Sequence, residues 1–367
     1  MRIESATMAE APLRLVAPLR TSTGAHSTRR ALLVQVCLDD GSTGWGENVA
    51  PEGDFYTGET AATSRAALAT NLASRLGAEF DDPREMSAAW WGTREWPMAR
   101  AAVEQAVWDA WCRARGVSLA SALGGDVRPV EVGCVVGLHD DVASTVAESM
   151  ARVDEGYRHL KLKIAPGQDS NVVREVRSAV GRNVVIAVDC NGAFDTGDVS
   201  RLASLAEHDV ALVEQPFAVG DWRSAHLLVA TGAVGVGLDE SISCLDDVTE
   251  ALSHSALTAV NVKPSRLGGL GDSVAVLERC MAEGLGAWVG GMLESGIGRA
   301  AALALATHPG CTLAPDLSAS TRYFERDVTA PFVLRDGMLA VPDRPGIGVD
   351  PMPQLMEGLE FETLWPG

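Results

Sequence analysis

Lysine is nearly absent from this sequence. Only three of its 30 basic residues, Lys161, Lys163 and Lys263, are lysine, and all the others are arginine. Acidic residues number 49, so the formal net charge is −19 at pH 7. Because duplex nucleic acid and anionic membranes are bound through cationic faces, this charge argues against both as partners. With so few lysines in the chain, each one becomes a candidate for a specific role.

Paired cysteines and long apolar segments are lacking too. The seven cysteines are scattered and no C-x-x-C pair occurs, which argues against a disulfide framework or a zinc knuckle. The N-terminal residues contain no continuous apolar stretch of the kind that signal peptides have. No apolar run approaches the roughly 18–20 residues that a membrane span needs. We therefore expect a cytoplasmic protein.

The first third of the chain has the pattern of strands followed by helices. Alternating residues at 30–38 and 42–49 flank Asp40-Gly41, which predicts a β-hairpin. Helical apolar spacing follows at 61–76 and 99–115. The length of 367 residues suits one large domain and a smaller partner. We place their boundary at 123–126, where two glycines end the helical pattern.

From residue 130 onward, short strands alternate with helices. The predicted strands are residues 130–138, 159–164, 184–191, 211–216, 234–240, 259–264, 286–291 and 311–316. The predicted helices between them include residues 142–155, 172–180, 199–208, 245–253, 272–283 and 298–307. This alternation predicts a parallel (β/α) barrel. A doubly wound open sheet is the alternative, but no glycine-rich dinucleotide loop follows the first strand.

A tail follows the last predicted strand. Residues 331–334 and 338–341 flank Asp336-Gly337, a pattern that predicts a second hairpin. The rest of the tail is rich in proline and glycine and no longer alternates. We expect it to return to the N-terminal domain.

Three successive predicted strands end in a carboxylate. Asp189, Glu214 and Asp239 are evenly spaced along the chain and come at the strand ends where parallel barrels place their active sites. Three converging carboxylates would repel one another without a cation. Oxygen ligands favour Mg²⁺ over zinc, so the sequence predicts a Mg²⁺ site.

The lysines complete this group. Lys161 and Lys163 are two residues apart on one strand and therefore share a face, while Lys263 lies four strands further round the ring. Lysines on opposite sides of a metal suit removal of a proton α to a carboxylate, with the metal stabilising the enediolate. We expect the nearby cations to lower the pKa of a lysine here, so that a neutral amine is available.

Each feature also has a plainer interpretation. Strand-end lysines commonly extend to solvent, and strand-end acidic residues commonly cap the next helix. Gly290-Gly291, before a predicted helix, could bind phosphate. The coincidence of all three lysines with three carboxylates favours an active site.

Seven segments carry a resemblance to a known family. They are KLKIAPGQD (161–169), VDCNGAF (188–194), VEQPF (213–217), LDESI (238–242), NVKPSRLGG (261–269), GGMLESGIGRA (290–300) and SASTRYFERDVTAPFVL (318–334). In this order they resemble the muconate-lactonizing subgroup of the enolase superfamily. Within that subgroup they are most similar to o-succinylbenzoate synthases and N-acylamino acid (N-succinylamino acid) racemases.

The resemblance implies a fold and a set of site residues. The fold is α/β, a modified TIM barrel, (β/α)₇β, at residues 126–318, with an α+β capping domain at 1–125 and a C-terminal segment, 319–367, that returns to the cap. Asp189, Glu214 and Asp239 would bind Mg²⁺, and Lys163 and Lys263 would be the acid/base pair. The implied substrate-binding residues are Lys161, Asn191, Arg266, Gly291, Met292 and Leu293.

The resemblance also implies an activity. In a Mg²⁺-dependent o-succinylbenzoate synthase, a lyase of menaquinone biosynthesis, Lys163 would remove the α-proton of a cyclohexadiene carboxylate and help hydroxide leave, while Lys263 stabilises the enolate. The alternative is an N-succinylamino acid racemase or a dual-function enzyme, and a more remote one is a non-catalytic or phosphate-binding barrel. The expected partners are a small anionic carboxylate substrate and further copies of the chain.

Substrate specificity should come from the cap. By the resemblance, residues 19–26 and Phe55-Tyr56 would close over the substrate. The sequence departs from the family pattern at positions near the substrate, which are Thr23, Val135, Cys190 and Ser265.

Overall fold

The described residues form a four-stranded antiparallel sheet, a seven-stranded parallel sheet and a small two-stranded sheet. The structure is a computed structural model that describes residues 1–21, 24–53, 56–72, 79–86 and 92–365, without the side chains of 18–26, 71–72 and 365. The predicted 19–26 closing segment, with Thr23, and Phe55 therefore lie wholly or partly outside the described residues.

The antiparallel sheet begins with three strands from the N-terminus. They are β1 (Ile3–Thr21), β2 (Gly24–Leu38) and β3 (Thr43–Asn48). The predicted hairpin joins β2 to β3, with Gly41 at a φ of 82° and the Leu38 N–H donating to the Ser42 carbonyl at 2.8 Å. Strand β1 was not predicted, because its sequence is rich in alanine and proline, which are poor strand formers.

Helices cover one face of this sheet. They are α1 (Ala61–Ala67), α2 (Pro97–Arg115) and α3 (Leu119–Ala122). Glu59 caps α2, accepting hydrogen bonds from the N–H groups of Met98 at 2.8 Å and Ala99 at 2.9 Å. Helix α2 lies so close to β3 that a Cβ at Gly46 would overlap the Ala102 carbonyl, so the sheet requires a glycine there.

A short strand, β4 (Val130–Glu131), and then the barrel strands follow in chain order. The barrel strands are β5 (Gly133–Val136), β6 (His159–Lys163), β7 (Val185–Asp189), β8 (Val210–Glu214), β9 (Gly235–Leu238), β10 (Ala259–Val262) and β11 (Gly286–Val289). Strands β5 to β11 form the parallel sheet, each beside its neighbours in sequence.

The predicted eighth strand, 311–316, is not a regular strand. It nevertheless lies between the first and last parallel strands, because the Asp316 N–H donates to the Val289 carbonyl and the Gly133 N–H to the Pro315 carbonyl, at 3.0 and 2.8 Å. Pro315 has no N–H with which to continue a ladder. These contacts close a modified TIM barrel, (β/α)₇β, and the antiparallel sheet with its helices is an α+β cap.

Helices surround the barrel. They are α4 (Val142–Asp154), α5 (Ser170–Val180), α6 (Val199–Ala203), α7 (Trp222–Ala230), α8 (Leu245–Ser253), α9 (Pro264–Leu267), α10 (Leu270–Glu283) and α11 (Gly296–Leu305). The predicted 199–208 helix turns into a 3₁₀ helix after Ala203. Helices α7 and α9 were not predicted.

The C-terminal tail adds one strand to the antiparallel sheet and one to a separate two-stranded sheet. Its elements are β12 (Met338–Leu339), α12 (Pro353–Met356) and β13 (Glu362–Trp365). The Asp336-Gly337 turn is present, but β12 pairs with β4 rather than with residues 331–334, so the predicted second hairpin is wrong beyond its turn. Strand β13 pairs with β1, which brings the end of the chain back to the N-terminal sheet.

Neither membrane-spanning helices nor disulfides are found in the described parts of the chain. No described helix is both long enough and apolar enough to cross a bilayer. All seven cysteines lie within the described residues, and each is a free thiol.

Candidate active site

The three lysines and the three predicted metal ligands all lie at the carboxyl ends of neighbouring barrel strands. Each carboxylate is paired with one lysine. The ion pairs are Lys161 Nζ–Glu214 Oε2 at 2.8 Å, Lys163 Nζ–Asp189 Oδ2 at 3.1 Å, and Lys263 Nζ–Asp239 Oδ2 at 2.8 Å. The strand-end rule therefore brings these six side chains together at one end of the barrel.

Two of the lysines are buried. Lys161 and Lys263 are each 7% exposed, whereas the side chain of Lys163 is 37% exposed. The interpretation that strand-end lysines extend to solvent is therefore wrong for Lys161 and Lys263. The helix-cap interpretation of the carboxylates is not supported either, since Asp195 and Asp221 cap the helices that follow β7 and β8.

The surrounding carboxylates determine the charge of the buried lysines. Burial lowers the pKa of Lys161, but Asp316 and Glu214 outweigh it and raise that pKa. Burial likewise opposes the charge on Lys263, while Tyr56 and Glu214 raise its pKa above the usual range. The protein groups around these two lysines therefore raise their pKa values, and the lowering that we expect from a bound cation stays a prediction.

Lys161 lies between two acidic groups. Besides Glu214, its Nζ donates to Asp316 Oδ2 at 2.5 Å, and the Trp288 indole donates to the same oxygen at 2.8 Å. Asp316 was missed as a site residue, although it ends the eighth predicted strand and the strand-end rule applies to it. Lys161 is thereby fixed at the floor of the site.

Asn191 links the Lys163 side to the next acidic residue. Lys163 Nζ donates to Asn191 Oδ1 at 2.5 Å, and Asn191 Nδ2 donates to Glu240 Oε1 at 3.0 Å. The Asn191 backbone N–H also donates to Asp189 Oδ1 at 3.1 Å. Asn191 thus orients both the proposed base and a proposed metal ligand.

Lys263 is enclosed by a residue from the cap. Its Nζ lies 3.2 Å from the Tyr56 hydroxyl, which in turn donates to Asp239 Oδ1 at 3.2 Å. Arg266 donates to the same Asp239 oxygen and, at 3.0 Å, to the Tyr56 hydroxyl. Arg266 is 2% exposed and also donates to the carbonyls of Ile242 and Asn261. In this structure the guanidinium therefore holds Asp239 and the turn beside it.

Asn261 is another residue that sequence reasoning missed. It is buried on β10, and its Nδ2 donates to Glu214 Oε1 at 2.6 Å. It lies two residues before Lys263, so the two-residue repeat of strands, already used for Lys161 and Lys163, could have identified it.

The predicted wall at Gly291–Leu293 follows β11. Met292 packs against a small cap cluster of Val49, Ala50, Met98 and Tyr56. The Leu293 carbonyl accepts a hydrogen bond from Arg29 Nε at 2.9 Å. This loop is therefore attached to the cap at the edge of the site.

The backbone N–H groups beyond this wall are already occupied by protein carboxylates. Glu47 accepts from the N–H groups of Ser295 and Gly298, and Asp327 accepts from that of Gly296 at 2.7 Å. Glu294 accepts from the Met292 N–H. The N-terminus of α11 is thus filled by the chain's own anions, which does not support the phosphate interpretation.

The described departures from the family pattern keep the catalytic groups intact. Cys190 is buried, and burial raises the pKa of its thiol well above the usual range, an environment typical of a packing cysteine. Val135 and Ser265 are half-buried.

Comparisons with known proteins give the family. Residues 3–124 match the N-terminal domain of mandelate racemase / muconate lactonizing enzyme, and residues 145–355 match the enolase C-terminal domain-like model. The chain belongs to the mandelate racemase / muconate lactonizing enzyme family of the enolase superfamily.

Relatives and solved structures agree with this assignment. An o-succinylbenzoate synthase from Geobacillus stearothermophilus is 38% identical over 95% of this chain and 94% of the relative. An N-succinylamino acid racemase from Amycolatopsis sp is also 38% identical, over 100% of both chains. A solved enolase-superfamily structure from Listeria innocua has a TM-score of 0.94 at 32% identity, covering 99% of this chain and 100% of that one.

Enzymes of this family use a divalent metal ion, and the donor set here has the chemistry to bind one. Asp189, Glu214 and Asp239 offer carboxylate oxygens, and the buried Glu214 Oε2 accepts no well-aligned hydrogen bond from the described residues. No three acidic, histidine or cysteine side chains in the described ranges converge as a ready-made metal centre. Each of the three carboxylates is instead paired with a lysine.

Proposed function

We propose that the protein is a Mg²⁺-dependent o-succinylbenzoate synthase, a lyase that dehydrates a cyclohexadiene carboxylate. The observation that carries the proposal is the placement of Lys163 and Lys263 on β6 and after β10, on opposite sides of a row of three carboxylates. Synthases from Geobacillus stearothermophilus, Geobacillus kaustophilus and Bacillus subtilis, 36–38% identical over 94% of their length, support the same activity.

Asp189, Glu214 and Asp239 would hold Mg²⁺. When bound, the ion supplies positive charge that stabilises the negative charge developing on the substrate carboxylate. Lys161, fixed between Glu214 and Asp316, adds a cation beside the same substrate group.

Lys163 would transfer the proton. It is the most accessible of the three lysines, and Asn191 and Asp189 orient its Nζ. As a neutral amine it would take the α-proton of the substrate and then return a proton to the departing hydroxide, so that one C–H and one C–O bond break and water leaves.

Lys263 would remain charged. Its Nζ is buried and paired with Asp239, an arrangement that favours an ammonium ion and suits stabilisation of the enolate rather than removal of a proton. Tyr56 and Met292 cover this side of the site and limit the access of water.

Measurement of dehydration tests this proposal. Purified protein with Mg²⁺ should convert the cyclohexadiene carboxylate to o-succinylbenzoate, and chelation of the metal should stop the conversion. Lys163→Ala is the matched control. Failure to dehydrate, together with racemisation of N-succinyl amino acids, would overturn the synthase assignment.

Racemisation is the second candidate, because two N-succinylamino acid racemases match all of this chain at 36–38% identity. Lysines on opposite sides of the substrate would remove the Cα proton of opposite enantiomers. Exchange of that proton in D₂O is the assay, and Lys163→Ala and Lys263→Ala should each abolish exchange of a different enantiomer.

Three further expectations remain proposals. The division into a cap at 1–125, a barrel at 126–318 and a returning segment at 319–367 is testable by limited proteolysis. Homo-oligomer formation is testable by light scattering, and a cytoplasmic location by cell fractionation.

A further inference from the structure

The turn that carries Lys263 leads directly into a pair of glycines pressed against the cap. Gly268 and Gly269 have φ values of 98° and 155°. A Cβ on Gly268 would overlap the guanidinium of Arg100, and a Cβ on Gly269 would overlap the carboxylate of Glu104. The absence of side chains therefore lets two charged residues of α2 reach the barrel backbone.

Glu104 binds the start of the next barrel helix. Its carboxylate accepts hydrogen bonds from the N–H groups of Leu270 and Gly271, the latter at 2.8 Å, and from the Trp108 indole at 3.3 Å. Both Glu104 and Arg100 are almost fully buried. The first turn of an α-helix leaves backbone N–H groups without partners within the helix, and the Glu104 oxygens bind two of them in α10.

The glycine pair is coupled to Lys263 through a tight turn. The Leu267 N–H donates to the Lys263 carbonyl at 3.0 Å, and the N–H groups of Gly268 and Gly269 donate to the Pro264 carbonyl at 3.0 and 2.9 Å. A displacement of the glycines must therefore be transmitted to the backbone of Lys263.

The loop after Lys163 is held differently. Its Asp169 accepts hydrogen bonds from the N–H groups of Gly167 and Ser170 and pairs with Arg201 at 2.5 Å. These partners all belong to the barrel. A buried cap residue, Glu104, therefore binds the backbone after the Lys263 turn. The contacts of Asp169 hold the loop after Lys163 without any cap residue.

We propose that Glu104 is a positioning residue that clamps the Lys263 turn to the cap, with Arg100 packed against Gly268 beside it, and thereby fixes the Lys263 side chain in the site. Neither residue touches the reacting atoms. Displacement of a catalytic group by about 1 Å can reduce a rate by about 10²-fold, so loss of the clamp should reduce reactions that depend on Lys263. The catalytic part of the test rests on the racemase candidate given under the proposed function.

The structural test is hydrogen–deuterium exchange of the full-length protein. In Glu104→Ala the amides of residues 267–271 should exchange at least about tenfold faster than in the wild type, while those of 164–170 stay unchanged. Glu104→Gln keeps one acceptor oxygen and should give an intermediate result. Unchanged exchange at 267–271 would overturn the clamp, whether or not the enzyme has the proposed activity.

The catalytic test separates the contributions of Lys163 and Lys263 by measuring Cα exchange of each substrate enantiomer. Lys163→Ala and Lys263→Ala first assign which enantiomer of an N-succinyl amino acid depends on each lysine for Cα exchange in D₂O. Glu104→Ala should then lower kcat for the Lys263-dependent enantiomer about 10- to 100-fold more than for the other. Equal slowing of both enantiomers would show a merely structural role. If the wild type exchanges neither enantiomer, the racemase candidate fails, and the amide-exchange result decides the clamp.

Asp109→Asn is the matched control. Asp109 is a buried carboxylate on the same helix, but it accepts hydrogen bonds from the N–H groups of Trp45 and Ile347, remote from the Lys263 turn. This variant should affect both enantiomers equally and leave exchange at 267–271 unchanged. Selective slowing of the Lys263-dependent enantiomer in this variant would contradict the proposed specificity of the clamp.

Discussion

The Lys163 and Lys263 sides of the barrel mouth present the same functional group in different surroundings. Lys163 is 37% exposed and is held by Asp189 and Asn191, both from the neighbouring strand end. The Lys263 side chain is 9% exposed and contacts Tyr56 of the cap. Two side chains of the same type can play different chemical roles when their surroundings differ. The open lysine is suited to move a proton, and the enclosed one is suited to remain charged.

The largest effect should come from the metal ligands, which belong to both sides. Asp189→Asn and Asp239→Asn should each weaken Mg²⁺ binding in calorimetry and lower turnover by about three orders of magnitude, because metal stabilisation of charge is worth several kcal/mol. A chelator should have the same effect, reversed by Mg²⁺. Normal Mg²⁺ binding in either variant would remove that residue from the site.

The next largest effect should be on the unfolding free energy of the metal-free protein, which should differ between variants of the two lysines. Lys263→Ala leaves the carboxylate of Asp239 buried with one cation fewer and should cost about 3 kcal/mol of unfolding free energy. Lys163→Ala also leaves a buried carboxylate, that of Asp189, but the ammonium that is lost is 37% exposed and water can take its place, so the cost should be smaller, about 1 kcal/mol. Urea denaturation measures both values. Equal losses would contradict the difference in burial.

Glu104, on the Lys263 side, should make stability depend on pH. Burial raises its pKa to about 8, with nearby Asp272 adding to the rise and the Gly271 and Leu270 N–H groups opposing it. Because the folded-state pKa exceeds the unfolded one, the unfolded chain loses this proton first as the pH rises. The stability that this group provides is therefore complete below about pH 4.5 and is lost between there and pH 8, at about 1.4 kcal/mol per pH unit.

Glu104→Gln removes this titration. Urea denaturation from pH 5 to 9 measures the unfolding free energies of the wild type and the variant. The unfolding free energy of the wild type, relative to that of the variant, should fall as the pH rises to 8 and then level off. Arg100 and Asp272 also face this region and remain in both proteins. A difference independent of pH would show that Glu104 has an ordinary pKa.

The smallest effect should come from the Tyr56 hydroxyl. Tyr56→Phe removes its hydrogen bonds to Lys263 and Asp239 and should slow the Lys263-dependent exchange about tenfold, a cost of about 1.4 kcal/mol. Exchange that depends on Lys163 should change less. Tyr157→Phe is the control, since its hydroxyl accepts a hydrogen bond from the Ala319 N–H, away from the site. Equal slowing of both exchanges would contradict a one-sided role.

Sequence patterns predicted where the lysines and carboxylates of the site lie, but not which residues they contact. Strand–helix alternation gave the barrel, and the strand-end rule located Lys163, Asp189 and Lys263, because both depend on local periodicity. Applied to every strand, the same rules would have added Asp316 and Asn261.

The partners depend on contacts between remote segments. Tyr56 and Lys263 are 207 residues apart in sequence, and no local pattern indicates that they meet. The raised pKa values of the buried lysines depend on contacts of the same kind, since Asp316 and Glu214 outweigh burial at Lys161, and Tyr56 and Glu214 outweigh it at Lys263.

Dehydration by two arginine variants tests the unequal roles of the lysines most directly. Arginine keeps the positive charge but cannot act as a base near neutral pH. With Mg²⁺ binding confirmed for both variants, Lys163→Arg should lose dehydration by at least about 10³-fold, while Lys263→Arg should retain at least about tenfold more activity than Lys163→Arg. Greater residual activity in Lys163→Arg would contradict the assignment of Lys163 as the base and Lys263 as the fixed cation.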